Sequence, residues 1–347
     1  MTEDPTSPES RARAGASPGV GAGEGAGDSA GARTGGDSTG TAGGSASLWS
    51  HPRVHASLDG LARLEPRRIV SLVPSLSEAI EVLGLGDRLV GVTEYCVHPA
   101  GAFERLPKLG GTKDADFEAI AALSPDLVIA NQEENTPRVV RKLADRGIDV
   151  WVTYPRTVRE GAALLADLAS LGASDEAIAR YLTPVVEAVE AAEARRGMAS
   201  RATSQSPARS HGSGPAREDS RPRVFCPIWR DPWMTIGPDT YIHDMIELCG
   251  GRNLYRDLPA PSGGSAESDR RYPIVDLDEV VAAGPDVILL PDEPYAFDEA
   301  DARRLSRSAT PAARAGRIHL IDGTLVSWYG PRIAEAIRAL AAIFANP

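Results

Sequence analysis

DFEAIAALSPDLVIA (residues 116–130) and DLDEVVAAGPDVILL (276–290) align without a gap, so the chain carries one structural unit twice. Each copy reads as an amphipathic helix, a Pro-Asp turn and a short apolar run, the pattern of a helix that feeds a buried strand. Glu118 and Asp278 take matching places, each seven residues before the proline of its turn. The first turn of a helix favours acids through its dipole, so helix stabilisation accounts for that match as readily as a role shared by two pseudo-symmetric lobes.

Outward from the first copy the same alternation continues. RIVSLVP (68–74) is a β-branched run closed by proline; Ser75 or Ser77 caps the helix that follows, and Gly84 and Gly86 end it. Strands at 89–93, 126–130 and 149–153 alternate with helices at 117–123 and 137–146, which spells parallel βα units. From 157 to 196 the pattern is helix only, with Leu164, Leu165, Leu168 and Leu171, then Ile178, Tyr181, Leu182, Val185, Val186 and Val189, at spacings of three and four. The strand and helix pattern resumes at 223–226, continues through a helix at 241–248, and ends with a strand at 318–321 and a helix at 332–344. The expected architecture is α/β, two lobes joined by a long backbone helix, with a ligand cleft between them. Its expected divisions are a disordered Gly/Ala/Ser-rich tail (1–47), an N-terminal lobe (67–155), a helical spine (156–196), a disordered insert (197–223) and a C-terminal lobe (224–347).

Composition narrows the function. Of 347 residues 42% are hydrophobic, and residues 1–47 hold 12 of the 34 glycines without any apolar period, so that segment cannot offset its ordering entropy. A net charge of −11 without clustered Lys and Arg excludes a nucleic-acid binder. No run approaches the ~18 uncharged apolar residues of a membrane span. The start shows no apolar leader with a cleavage site, so the chain is expected to be made and kept in the cytoplasm. Cys96, Cys226 and Cys249 form no CxxC pair and read as buried thiols. The absence of GxSxG, HExxH, Walker A and GxGxxG patterns leaves the standard hydrolase, protease and nucleotide motifs unsupported.

Aromatic residues are only 5% of the chain, yet Tyr95, Trp229, Trp233, Tyr272, Tyr295, Phe297, Trp328 and Tyr329 sit in loop-like segments beside Pro and Gly. A cleft lined by such faces suits a broad flat ligand, a tetrapyrrole or an aryl chelate; the competing reading is that the rings close the ends of the lobes. In YCVHP (95–99), Cys96 and His98 are candidate metal ligands, with Glu133, Glu134 and His243 elsewhere. A spacing of two residues completes no known metal site, and a loop histidine satisfied by backbone is the competing reading.

On RIVSLVPSLSEAIEVLGLGDRLVGVTEYCVHP (68–99), LGGTKDADFEAIAALSPDLVIA (109–130), the spine, IHDMIELCGGRNLY (242–255) and the second repeat, the chain resembles the class III, helical-backbone periplasmic binding proteins. These Fe/B12-type receptors deliver vitamin B12, haem and iron-siderophores to ABC importers, and the resemblance is nearest to the cobalamin-binding branch. It implies two Rossmann-like lobes and reversible binding with no bond made or broken, no cofactor required, and cobalamin, haem or a ferric siderophore as the ligand. It implies ligand contact at Tyr95, Thr112, Lys113, Asn131, Glu133, Trp229, Trp233, Tyr272, Trp328 and Tyr329, and importer docking through Glu118 and Asp278. The chain departs from the family in lacking a leader or lipid-attachment cysteine near its start and in having Asp278 where glutamate is usual. Two other readings stay open: a metal-dependent enzyme of the same fold using His98 with Glu133 or Glu134, and a ligand-independent interaction module.

Overall fold

The computed structural model describes residues 51–61, 65–204, 219–258 and 270–345; the expected tail 1–47 lies outside them, as do residues 205–218 of the expected insert. The N-terminal lobe is a five-stranded parallel sheet in the order β1-β5-β4-β2-β3, formed by β1 (Val54–His55), β2 (Ile69–Ser71), β3 (Leu89–Val92), β4 (Leu127–Asn131) and β5 (Asp149–Thr153). Helices α1 (Pro74–Ile80), α2 (Phe117–Ala122) and α3 (Pro137–Asp145) link them. The edge strand β1 precedes the expected start of the lobe at 67. Two residues are too few for an alternation, and β1 is held by its ladder to β5 and by two side chains, with Arg53 Nη1 and His55 Nε2 2.7 and 2.8 Å from the Asp149 carboxylate on β5.

The repeat has a physical reason. In both copies the residue before the Pro-Asp pair is left-handed, Ser124 at φ 45° and Gly284 at φ 62°, which ends the helix and turns the chain back. The next aspartate then caps the lead of a neighbouring strand. Asp126 accepts the backbone N–H groups of Arg67 and Arg68 at 2.9 Å each, and Asp286 accepts that of Arg223 at 2.9 Å. The aspartate N–H groups return to the Arg68 and Arg223 carbonyls at 2.8 Å. Each Pro-Asp turn therefore fixes register as well as direction.

The spine is two helices, not one. Helix α4 (Val158–Ser170) opens on a capping box of Thr157 and Glu160 and stops before Gly172, whose φ of 119° no ordinary residue adopts readily. Helical turns from Asp175 then lead into α5 (Thr183–Ser204). This helix passes Gly197, where the disordered insert was expected to open, because a polar stretch without an apolar face can still extend an existing helix. At the other end of that stretch, Arg221 is already tied to Asp219 and Glu247, each at 2.7 Å.

The C-terminal lobe is a four-stranded parallel sheet in the order β11-β10-β6-β9, from β6 (Arg223–Phe225), β9 (Arg252–Asn253), β10 (Val287–Pro291) and β11 (Ile318–Ile321). An antiparallel ribbon of β7 (Pro227–Trp229) and β8 (Met234–Thr235) extends it. Its helices are α6 (Tyr241–Leu248), α7 (Leu277–Ala283), α8 (Glu299–Ser306), α9 (Pro311–Ala315), α10 (Thr324–Ser327) and α11 (Ile333–Ala345). One apolar cluster runs through both lobes and the spine, from Ile69, Leu76 and Ile80 through Leu165, Leu168, Val185 and Val189 to Val224, Met245 and Ile337.

Gly161 marks where spine and C-terminal lobe touch. A Cβ there would stand 2.8 Å from Tyr329 Cβ and 2.9 Å from Tyr241 Cε2. In an open helix Gly to Ala would gain about 1 kcal/mol; here overpacking reverses the sign and Gly161→Ala should cost about 1–3 kcal/mol. Thermal denaturation of the purified variant is the check, and an unchanged or raised melting temperature would show that the joint is loose.

Candidate functional site

Parallel strands of both lobes deliver their carboxyl ends to a common seam, the place where α/β folds bind ligands. At the end of β4 the Asn131 side chain accepts the N–H groups of Glu133 (2.7 Å) and Glu134 (3.2 Å), while Asn135 accepts the N–H of Asn131 (2.7 Å). Asn135 Nδ2 also donates to the Thr112 carbonyl at 2.8 Å. Two buried amides thus build a rigid turn that aims Glu133 and Glu134 across the seam. Lys113 donates to the Glu133 main-chain carbonyl.

The opposite wall meets them. Arg271 Nη1 stands 2.7 Å from Glu133 Oε1, and the Tyr272 hydroxyl donates to the same oxygen at 2.5 Å. The Arg271 guanidinium lies 5.1 Å from the Tyr154 ring centre and 5.3 Å from that of Tyr272. Tyr329 donates to Glu134 at 3.0 Å. Trp328 meets His98 edge-on with ring centres 5.7 Å apart, and the Arg332 guanidinium covers the Trp328 ring at 5.2 Å.

The structure therefore brings Lys113, Glu133, Tyr272, Trp328, Tyr329 and His98 together. Thr112 and Asn131 hold the turn through the bonds already given, and half-buried Tyr95 stands beside Gly111, where a Cβ would lie 3.3 Å from its Cε2. Trp233 is placed elsewhere: it is 7% exposed and stacks on Phe297 at 5.8 Å inside the C-terminal lobe's own core. Trp229 sits at the margin of that ring cluster, edge-on to Tyr295 at 5.5 Å. For these two tryptophans the competing reading, rings that close a lobe, describes the packing. Among the described residues no group of three or more His, Cys, Asp or Glu is placed to hold a metal, and His98 faces an indole instead. Cys96 is buried between Ser77 (3.1 Å) and Thr93 (3.2 Å), and burial pushes its thiol up, away from the thiolate a metal needs. Glu118 and Asp278 are exposed on the first turns of α2 and α7, with Glu118 3.4 Å from Arg146.

Sequence reasoning missed Arg271, Tyr154 and Arg332. The only signal for Arg271 was its place next to Tyr272 in DRRYP (269–273).

Charge in the seam is unbalanced. Burial pushes the Glu134 carboxyl up to about 7, with Glu293 and Glu133 adding to the rise and the Tyr329 hydroxyl opposing it. Burial also raises Glu293, against a 2.9 Å bond from Ser327. Since Glu134 sits near 7 in the folded protein against an ordinary 4.5, the folded state binds the extra proton, and this group's contribution to stability falls as pH rises through that window. Glu134→Gln, whose amide oxygen still accepts from Tyr329, should melt higher than the parent at pH 8 and lose part of the parent's decline between pH 5.5 and 8. Parallel melting curves for the two proteins across that range would contradict it.

A family model described as periplasmic binding protein matches residues 69–325. The vitamin B12-binding protein of Vibrio cholerae serotype O1 is 27% identical over 272 residues, covering 78% of this chain and 86% of the relative. Among solved structures, the periplasmic vitamin B12 binding protein BtuF of Vibrio cholerae superposes with a TM-score of 0.62 at 23% identity, over 81% of this chain and 97% of that one. A periplasmic heme binding protein from Pseudomonas aeruginosa gives 0.61 at 25% identity, over 80% and 92%.

Proposed function

The chain belongs to the periplasmic binding protein family, and from that premise we propose that its seam receives a corrinoid, with haem as the second candidate. It is a substrate-binding protein, and its membership corrects the expectation of a cytoplasmic protein: periplasmic binding proteins work outside the cytoplasmic membrane. The expectation failed because it was drawn from the absence of an apolar leader, and such an absence assigns no compartment.

One observation carries the ligand reading: rings of both lobes, Tyr154 against Tyr272 and Trp328 beside His98, converge on one seam with donors and acceptors between them. Aromatic faces with few placed polar groups suit a large planar ligand. The relative named for vitamin B12 supports a corrinoid, the heme-binding neighbour supports a tetrapyrrole in general, and a ferric siderophore has the thinner support. The ligand is cargo, held and released without turnover, and the protein needs no cofactor for this. Glu118 and Asp278 would present one acid from each lobe to an importer. No helix among the described residues is long and apolar enough to cross a membrane.

Calorimetry of the purified chain against cyanocobalamin, haemin and a ferric siderophore tests the reading, with cyanocobalamin expected to bind at or below roughly micromolar concentration. Trp328→Ala should lower that affinity by about 2 kcal/mol, roughly thirtyfold. Trp233→Ala should instead cost about 3–5 kcal/mol of stability and leave affinity per folded molecule unchanged. Folded protein that binds none of the three, or a Trp328 variant that binds normally, would remove the seam as the ligand site.

A further inference from the structure

Among the described residues, a guanidinium nitrogen of Arg271 is buried at the seam with nothing to donate to. Arg271 is 8% exposed, and its guanidinium is fixed on three sides. Nε donates to the Asp239 carbonyl of its own lobe at 2.8 Å, Nη1 meets Glu133 of the other lobe, and the guanidinium lies over the Tyr154 and Tyr272 rings. Among the described residues Nη2 is buried without a partner. The backbone beneath cannot give way either: Gly237 donates to the Arg271 carbonyl at 2.7 Å, and a Cβ on it would stand 1.8 Å from the Arg270 oxygen. A buried donor that cannot turn to water costs free energy until an acceptor arrives.

We propose that Arg271 Nη2 is a specificity site for a neutral amide carbonyl at the rim of the ligand, and that the acids around it turn away analogues carrying a carboxylate there. The inference rests on the planar-ligand reading above and adds the chemistry of the ligand's edge.

Charge decides between the two acceptors. The single positive charge of Arg271 is already matched by Glu133, so what remains at Nη2 is a donor rather than a counter-ion. Glu134 and Glu293 stand in the same seam, and the nearby ammonium of Lys113 is directed to a main-chain carbonyl. A carboxylate arriving at Nη2 would lie next to Glu133 in a region of low dielectric, where like charges repel strongly. An amide supplies the missing acceptor and no charge. The upward shifts of Glu134 and Glu293 report the same resistance to negative charge. Specificity of this kind comes from penalising the wrong partner as much as from rewarding the right one.

The test uses the full chain at pH 8 and two kinds of probe: cyanocobalamin, whose corrin side chains end in amides, and its monocarboxylic acids, in which one propionamide is hydrolysed. At least one acid isomer should bind about tenfold or more weakly than the amide. Arg271→Lys keeps the charge but lacks the second nitrogen of the fork; it should lower cyanocobalamin affinity by about fivefold or more and narrow the gap to that acid. The comparison of amide with acid needs no variant, so it stands even if Arg271→Lys folds poorly. Acid isomers that all bind as tightly as cyanocobalamin would overturn the inference while leaving the corrinoid reading intact, as would an Arg271→Lys protein with unchanged affinity and gap. Absence of binding by every corrinoid and by haemin would fail the planar-ligand reading first and this inference with it.

Discussion

Arg332 grips Glu78 with two parallel bonds, Nε to Oε2 at 2.7 Å and Nη2 to Oε1 at 2.8 Å, and this fork crosses from one lobe to the other. Glu78 is 7% exposed on α1, so its charge has little recourse to water. Removing one partner of such a pair leaves a buried charge and costs about 3–5 kcal/mol. The same guanidinium covers Trp328, so the ion pair that fastens the lobes also positions a ring of the seam. Beneath it, the apolar cluster shared by both lobes and the spine resists their separation, since parting them would expose apolar area at about 25 cal/mol per Å². The shape of the seam is therefore set by side chains on a stiff body.

How far this was legible depends on whether the determining interaction is local. The repeat was legible because each copy is a complete local unit: an N-cap aspartate, a helix, a left-handed residue, a Pro-Asp turn and a strand. The parallel strands β2 to β6, β10 and β11 follow from the same local signals. The edge strands β1 and β9, two residues each, hold their places through partners far away in sequence, Asp149 for the first and the β6 ladder for the second. The break in the spine had a signal in Gly172 and Ser174, which caps the following turn by accepting from Ala177 at 3.2 Å. The apolar period, which resumes in step at Ile178 seven residues after Leu171, hid it.

The site was legible by segment and less so by residue. Aromatics beside Pro and Gly stand out from the apolar stripes, but a ring's destination depends on what lies opposite. Trp233 follows a tight turn of the β7–β8 ribbon and folds inward onto Phe297 and Phe225, whereas Trp328 leaves α10 toward the seam. Nothing within five residues of either tryptophan states that difference. Arg271 was invisible for a related reason. An arginine in a polar loop reads as solvated, and only Gly237 pressing on its backbone and two tyrosines from different lobes make it a buried donor.

The paired acids can be weighed more sharply with the structure than with the repeat alone. If Glu118 and Asp278 were there to stabilise their helices, they would have to contribute what the N-caps leave undone. The caps are Asp116, which accepts from Ala119, and Asp276, which accepts from the N–H of Asp278 itself. What remains for an exposed acid in the first turn is its interaction with the helix dipole, about 0.3–1 kcal/mol and weakened by salt. The ion pair of Glu118 with Arg146 is solvent-exposed on both sides and adds at most about 1 kcal/mol. Small local returns on both lobes, at positions the repeat makes equivalent, leave room for a role outside the fold, and an acid on each lobe spaced by a stiff body is a geometry that a partner with matching basic groups can read.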